Sequence, residues 1–195
     1  VGPLSGTRVT VGIGLAFPGG SRHWHEEVAT GGVGIFLAGD EHDARYSPGA
    51  RYATATLTAE RLETEAAQQD VVLDSRALGG TRIHPRAANP RTVAWLDRRV
   101  RTVHAGVGDD PGLGPDLLAA IVAHCARLPW ARTGRRPTSG HRRIVERARA
   151  FIAAHLDQPI SVDAVAAAAG TSRRTLFRVF VERLEETPTL YVRRL

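Results

Sequence analysis

The first third of the chain alternates apolar stretches with turn sequences. Residues 9–17 and 33–38 are apolar and bounded by glycines, a pattern typical of buried strands. Residues 51–57 alternate between polar and apolar side chains, which predicts a strand with one exposed face. Proline–glycine turns lie at 18–20 and 47–49. The pattern therefore predicts three strands joined through tight turns.

Helical periodicity follows these strands. Thr58 can cap a short helix that ends near Gln69. Asn89 followed by Pro90 is an N-cap with proline at the first helical position, and Gly106 is suited to end that second helix. The apolar residues of the second helix recur at three- and four-residue steps, at Val93, Leu96, Val100 and Val103.

A third helix is predicted from about residue 115 to residue 128, where Pro129 stops it. Its inward positions are Leu117, Leu118, Ile121, Val122 and Cys125. With the preceding helix it forms a predicted hairpin. Ordinary core packing explains both apolar stripes, but a narrow seam also suits pairing between two copies. A homodimer through residues 90–128 therefore stays an alternative.

The chain divides at a polar segment, residues 132–140, which contains no apolar side chain and predicts a linker. We expect a regulatory or dimerisation domain over residues 1–131 and a helical domain over residues 141–195. All 26 basic residues are arginine. Residues 1–131 hold 13 arginines and 14 acidic residues, whereas residues 132–195 hold 13 arginines and 6 acidic residues. The net charge of +7 in the last third favours a polyanionic partner.

The basic domain carries a helix-turn-helix pattern. A first helix is predicted over residues 141–156, and Ser161 caps the next. Ala166 is small where the following helix must cross it, and Gly170 suits a left-handed turn. Leu176 then fills the space between the helices, and Phe180 follows it on the same inward face.

Ser172 caps the predicted recognition helix, residues 172–184, which we expect to enter the DNA major groove. The planar fork of arginine matches the paired acceptors of guanine, and an aromatic edge can contact a thymine methyl group. On the outer face the candidate base-reading residues are Arg174, Phe177 and Arg178. The candidate phosphate contacts are Ser172, Arg173, Arg142 and Arg143.

Residues 143–195 resemble the DNA-binding region of AraC/XylS-type transcriptional regulators. The strongest segments are 160–166, 170–180 and 187–195. In that family a serine opens the recognition helix, and leucine, arginine and phenylalanine follow at alternate positions, as do Ser172, Leu176, Arg178 and Phe180 here. The resemblance places the family's base-reading positions on Arg174, Phe177 and Arg178.

What the resemblance implies is a bacterial regulator that binds double-stranded DNA and reads its sequence. Its expected fold class is α+β, with a β-rich, cupin-like N-terminal domain and a helical hairpin before the helix-turn-helix. The N-terminal domain would bind a small-molecule effector or hold a dimer.

The chain departs from the family pattern in two places. Glu185 and Glu186 stand where the family usually has a glycine before its Ser/Thr-Pro turn. The family also carries a second helix-turn-helix after a long helix, and here that helix only begins, at residues 191–195. We therefore expect the chain to be a fragment that presents half of the DNA footprint.

Two other classes of function compete with this interpretation. The segments 23–25 (His-Trp-His) and 39–42 (Gly-Asp-Glu-His) resemble the halves of a cupin metal motif. However, no glutamate follows His25 at the spacing of that motif, and Leu37 replaces its proline. We assign no metal, cofactor or catalytic residue, and keep a metal-binding cupin-type enzyme as an alternative. A truncated interaction protein that dimerises and has little DNA affinity is the other.

Cys125 is the one cysteine of the chain, so an intramolecular disulfide cannot form. This is compatible with a reducing cytosol. No apolar run approaches the ~20 residues that cross a membrane. We expect a cytoplasmic protein without a membrane partner.

Overall fold

The structure, a computed structural model, describes residues 8–24, 26–38, 40, 43–73, 80–126 and 139–195. Those residues form an α+β fold with seven strands and seven helices. The strands are β1 (Arg8–Ala16), β2 (Ser21–His23), β3 (Glu26–Val28), β4 (Val33–Leu37), β5 (Ala44–Tyr46), β6 (Arg51–Thr58) and β7 (Arg82–Ile83). The helices are α1 (Ala59–Gln68), α2 (Pro90–His104), α3 (Leu113–Cys125), α4 (Ser139–Ala154), α5 (Val162–Ala168), α6 (Arg173–Leu184) and α7 (Pro188–Arg194).

The larger sheet is antiparallel and has the strand order β6-β1-β4-β7. In its centre Val11 of β1 pairs with Ala55 on one side and with Ile35 on the other. Alternation along β6 is as predicted, since every second residue from Tyr52 to Thr58 is exposed. The buried face of β1 carries its odd-numbered residues, Val9, Val11, Ile13 and Leu15.

A smaller antiparallel sheet has the order β3-β2-β5, and each of its strands has three residues. Hydropathy did not predict these strands, because three residues are too few to display a period of two. The two sheets are separate in strand pairing among the described residues. Closure into a cupin-like barrel stays a prediction.

Helices α1, α2 and α3 cover one face of the larger sheet and form the first hydrophobic core with it. Helix α2 begins at the predicted cap, where the side chain of Asn89 accepts hydrogen bonds from the amides of Arg91 and Thr92. Helix α3 is buried from Asp116 to Cys125, and only its first turn is accessible. The apolar stripes that suggested a subunit seam therefore pack inside this core, and a homodimer through residues 90–128 would need other faces of these helices.

Two histidines join the sheet edge to α3. His84 follows β7, and its Nδ1 lies 2.9 Å from Nε2 of the buried His124. Burial, together with the nearby His84 and Arg86, lowers the pKa of His124 to about 3. His124 is therefore neutral near pH 7.

Helices α4, α5 and α6 form the second core, built around Ala148, Ile152, Val165, Ala166, Leu176 and Phe180. Gly170 turns the chain between α5 and α6 with a φ of +68°. The amide of Gly170 donates to the Ala167 carbonyl and that of Thr171 to the Ala166 carbonyl, which closes the end of α5. Helix α4 begins two residues before the predicted start, so residues 139 and 140 of the predicted linker are helical. Residues 132–138 lie outside the described residues.

Helix α7 belongs to both cores. Thr187 caps it, and Leu190 packs into the first core while Tyr191 packs into the second. The Tyr191 ring meets the Phe180 ring edge-on, with centroids 5.6 Å apart. Neighbouring residues on this short helix thus tie the N-terminal part (residues 8–126) to the C-terminal part (residues 139–195). No helix among the described residues is long and apolar enough to cross a membrane.

We expect Gly170→Ala to lower the free energy of unfolding by about 1–2 kcal/mol, because an L-residue is strained at positive φ. Gly114→Ala is the matched control. Gly114 lies in α3 without a positive φ, and open space surrounds its Cβ position. That substitution should be neutral or stabilising by about 0.5 kcal/mol. Urea unfolding of both variants measures the difference, and equal effects would contradict the assigned turn.

The His124 pKa predicts a pH dependence of stability. In the unfolded chain this histidine binds a proton below about pH 6.5, whereas the folded chain resists protonation down to about pH 3. The stabilisation is therefore complete above pH 6.5 and is lost progressively as the pH falls below it. Between pH 7 and pH 5 we expect the free energy of unfolding to fall by about 2 kcal/mol through this group. His124→Gln should flatten the profile, and the exposed control His104→Gln should not; an unchanged slope in His124→Gln would refute the linkage.

Candidate nucleic-acid interface

Helix α6 begins as the sequence predicts. Ser172 has extended backbone angles, and its hydroxyl accepts a hydrogen bond from the Thr175 amide at 3.2 Å. The hydroxyls of Ser172 and Thr175 also lie 3.0 Å apart. The side chain of Ser172 is therefore committed to the cap, and a phosphate contact from this position stays a prediction.

Arg174 and Arg178 are exposed and lie one turn apart on α6. Within the part of the chain that the structure describes, neither guanidinium contacts a carboxylate. Both side chains can thus reach a partner without first breaking an internal ion pair. Their spacing suits contacts with neighbouring base pairs.

Phe177 lies elsewhere than the sequence suggested. It was expected on the outer face, but its side chain is fully buried, and Val181 one turn on is also buried. The expected placement on the exposed face is wrong because the flank of α6 that carries these residues is covered. Burial of an aromatic ring is worth several kcal/mol, so the covered arrangement is the favoured one in this structure. Base reading by Phe177 stays a prediction that requires this flank to be uncovered.

Arg173, a predicted phosphate contact, is held by internal acceptors. Its guanidinium donates to the Asp70 carboxylate at 3.2 Å and to the Gln68 carbonyl at 3.3 Å, both at the end of α1. Asp163 of α5 lies 3.5 Å away on the other side. The same guanidinium also lies over the Phe177 ring, 5.5 Å from its centroid. This arginine is therefore partly neutralised, unlike its neighbour Arg174.

The predicted phosphate contacts of α4 are exposed. Arg142 forms an ion pair of 2.7 Å with Glu146, which raises the pKa of that arginine. Arg143 is exposed one position further. Arg147, one turn after Arg143, is also exposed and lies close to Gly170, but it was not among the predicted contacts. The four-residue step from Arg143 to Arg147 was the available signal for this residue.

A cluster of polar contacts formed by Thr92, Glu186 and Arg194, which we call the polar joint, follows the end of α6. Glu185 adopts the left-handed conformation, with a φ of +54°, at the position where the resembled family has glycine. Glu186 is buried, and its carboxylate accepts hydrogen bonds from Arg194 at 2.8 Å and 3.1 Å. Thr92 of α2 donates to the same carboxylate at 3.4 Å. The side chain of Asn89 donates to the Leu184 carbonyl.

A second contact of this joint lies at the start of α3. The buried Asp116 accepts hydrogen bonds from Arg99 of α2 and from Arg193 of α7. Sequence patterns did not predict the burial of Asp116 or Glu186, because each lies in a segment that also fits a solvated helix end. Their burial depends on α7 packing against α2 and α3.

The metal hypothesis falls largely outside the described residues, which exclude His25, Gly39, Glu41 and His42. His23 is buried, and its ring lies edge-on to Tyr46 at 5.4 Å. No group of three or more metal-ligating side chains comes together within residues 8–24, 26–38, 40, 43–73, 80–126 and 139–195.

A cavity lies beside the two sheets and is the candidate site for a small molecule. Its volume is about 40 Å³, room for a few water-sized groups, and it opens to solvent. Gly12 and Gly34 pair across β1 and β4 on its floor, and Phe17 and Phe36 lie against it. Tyr46 and Tyr52 stack on each other at 5.0 Å and complete the aromatic wall.

Comparisons with known proteins give little information about the family to which the chain belongs. No family model matches the chain, and no curated protein sequence matches it. Among solved structures, the chain is similar to one described as "Crystal structure of the AraC-like transcriptional activator CuxR", with a TM-score of 0.33 and 16% sequence identity. The match covers 96% of this chain and 65% of the length of that protein. A TM-score of this size establishes neither a common fold nor a common function.

Substitutions of the adjacent residues Glu185 and Glu186 should change the free energy of unfolding in opposite directions. Glu186→Ala leaves the partly exposed Arg194 without its carboxylate, and should lower the free energy of unfolding by about 2–3 kcal/mol. Glu185→Gly relieves about 1–2 kcal/mol of left-handed backbone strain. The greater backbone entropy of glycine offsets about 0.5–1 kcal/mol of this, so the free energy of unfolding should rise by about 0.5–1 kcal/mol. Urea unfolding measures both, and a similar change in the two variants would contradict the burial of the Glu186–Arg194 pair.

Proposed function

We propose that the chain is part of a sequence-specific DNA-binding transcription regulator of the AraC/XylS type, with α6 as the recognition helix. One observation carries this proposal. Arg174 and Arg178 project from a helix that is fixed by a glycine turn and a packed core, and neither is paired with a carboxylate among the described residues. A rigid helix that presents unpaired guanidinium groups is suited to the major groove.

The chemistry of recognition follows from arginine. Each guanidinium can donate two parallel hydrogen bonds to O6 and N7 of a guanine. Arg174 and Arg178 therefore read neighbouring base pairs, while Arg142 and Arg143 of α4 bind the phosphate backbone. Because phosphate contacts release counterions, binding weakens steeply as the salt concentration rises. The net charge of +7 over residues 132–195 strengthens this dependence.

The N-terminal part is the regulatory domain in this proposal, and the cavity beside its sheets is the site for a small-molecule effector. Glycine backbone and aromatic walls line that cavity. The cavity and the two-part organisation both fit the family that the C-terminal sequence resembles.

A competing proposal is an interaction protein with little DNA affinity. The burial of Phe177 and the internal partners of Arg173 favour it, since both remove residues from the predicted reading face. Titration of the chain into labelled duplex DNA separates the two proposals. Binding at low salt that is lost when salt is added, and that returns when the salt concentration is lowered again, supports the regulator. Absence of binding at low salt supports the competing proposal.

The base-reading role is tested by Arg178→Ala. After selection of preferred duplexes from random DNA, this variant should lose about 1–3 kcal/mol on the preferred site and relax the preference there. Arg183→Ala is the matched control, because Arg183 is exposed on the same helix but on a different face. It removes the same charge and should weaken all duplexes slightly and alike. Equal losses for both variants on every duplex, measured by fluorescence anisotropy, would contradict the assignment.

A further inference from the structure

Helix α6 touches the N-terminal part at both of its ends. At the first residue, Arg173 donates to Asp70 and to the Gln68 carbonyl of α1. At the last residue, the Leu184 carbonyl accepts a hydrogen bond from Asn89, the cap of α2. These two contacts lie on one side of the helix.

The residues between these ends are buried on the same side. Positions 173, 177, 181 and 184 are separated by steps of four, four and three, which places them on one helical face. Phe177 and Val181 are buried, and neither belongs to either hydrophobic core. The Arg173 guanidinium that binds α1 also lies over the Phe177 ring, so the contact with the N-terminal part extends onto this flank of α6, next to the exposed Arg174 and Arg178.

A covered flank is incompatible with entry into DNA. The major groove is about 12 Å wide, and a helix with its side chains is about 10–12 Å across. The first turns of α6 can enter only when both flanks are clear. Protein that rests along Phe177 occupies the space of one groove wall.

The end of α1 presents the same kind of hydrogen-bond acceptors as the DNA backbone. The Asp70 carboxylate and the Gln68 carbonyl present oxygen acceptors to Arg173, as two phosphate oxygens would. The C-terminal end of α1 carries a partial negative charge, and the N-terminal end of α6 a partial positive charge. The two ends attract each other where a DNA phosphate would bind.

We propose that the contact between the end of α1 and the start of α6 is an autoinhibitory restraint, in which Asp70 and Gln68 take the place of a DNA phosphate. This inference rests on the proposed DNA-binding function. While α6 rests on α1, Arg173 is partly neutralised, and its guanidinium lies over Phe177. DNA binds after α6 separates from α1, which releases Arg173 from Asp70 and Gln68 and leaves Asp163 of α5 as its one remaining carboxylate partner among the described residues. Because the Arg173–Asp70 pair is partly exposed, with 42% and 38% of the side chains accessible, the restraint is weak enough for DNA to displace.

Asp70→Asn tests the restraint in the full chain. Asparagine tolerates the left-handed backbone of Asp70, whose φ is +50°, and it removes the charge alone. Glu63→Gln is the matched control, since Glu63 is an exposed acidic residue of α1 and makes no contact with α6 among the described residues. The control corrects for the general gain in affinity when any acidic residue is neutralised.

The probe is a fluorescently labelled DNA duplex of random sequence, titrated at low salt, together with amide hydrogen exchange of α6. We expect Asp70→Asn to bind about two- to fivefold more tightly than the unmodified chain, the range set by loss of an exposed ion pair. Glu63→Gln should gain less. The amides of α6 should exchange faster in Asp70→Asn without DNA, and should be unchanged in Glu63→Gln.

Each outcome decides a different question. Equal affinities for Asp70→Asn and Glu63→Gln, with unchanged exchange of α6, overturn the restraint and leave the proposed function standing. Absence of duplex binding in all three proteins overturns the proposed function and, with it, the autoinhibitory restraint. Tighter binding of Asp70→Asn with faster exchange of α6 supports both.

Discussion

The direction of α6 depends on the left-handed turn at Gly170. Backbone hydrogen bonds from Gly170 and Thr171 close α5 at that point, so the chain leaves at a fixed angle. Leu176 and Phe180 then fall into the core with Ala166, and Arg174 and Arg178 remain outside. The same angle brings both ends of α6 into contact with the N-terminal part, at Arg173 and at Leu184. One backbone conformation thus determines which side chains are free and which are covered.

Local sequence was sufficient for the elements with strong local signals. The strand β6 shows its alternation over eight residues, and α2 carries both a cap at Asn89 and a proline after it. The strands β2, β3 and β5 have three residues each and depend on hydrogen bonds to strands distant in sequence. No pattern of three residues separates such a strand from a loop.

The residues of the candidate site also differ in whether the local sequence predicts their position. Helical spacing alone placed Arg174 and Arg178 together on an exposed face. The burial of Phe177 did not follow from spacing, because it accompanies contacts between residues far apart, such as Arg173 and Asp70, which are 103 positions apart. Glu186 was noticed only as a departure from a family pattern. Its pairing with Arg194 requires α7 to fold back against α2, which no local rule specifies.

The double attachment of α7 also bears on how the molecule comes apart. Leu190 and Tyr191 are adjacent in the chain but fill different cores. Opening either core removes packing partners from this helix and exposes apolar surface on the remaining one, which is unfavourable. Half-folded species, with one part intact and the other open, are therefore poorly populated. A substitution that destabilises one part therefore destabilises the other as well, and the two parts unfold together.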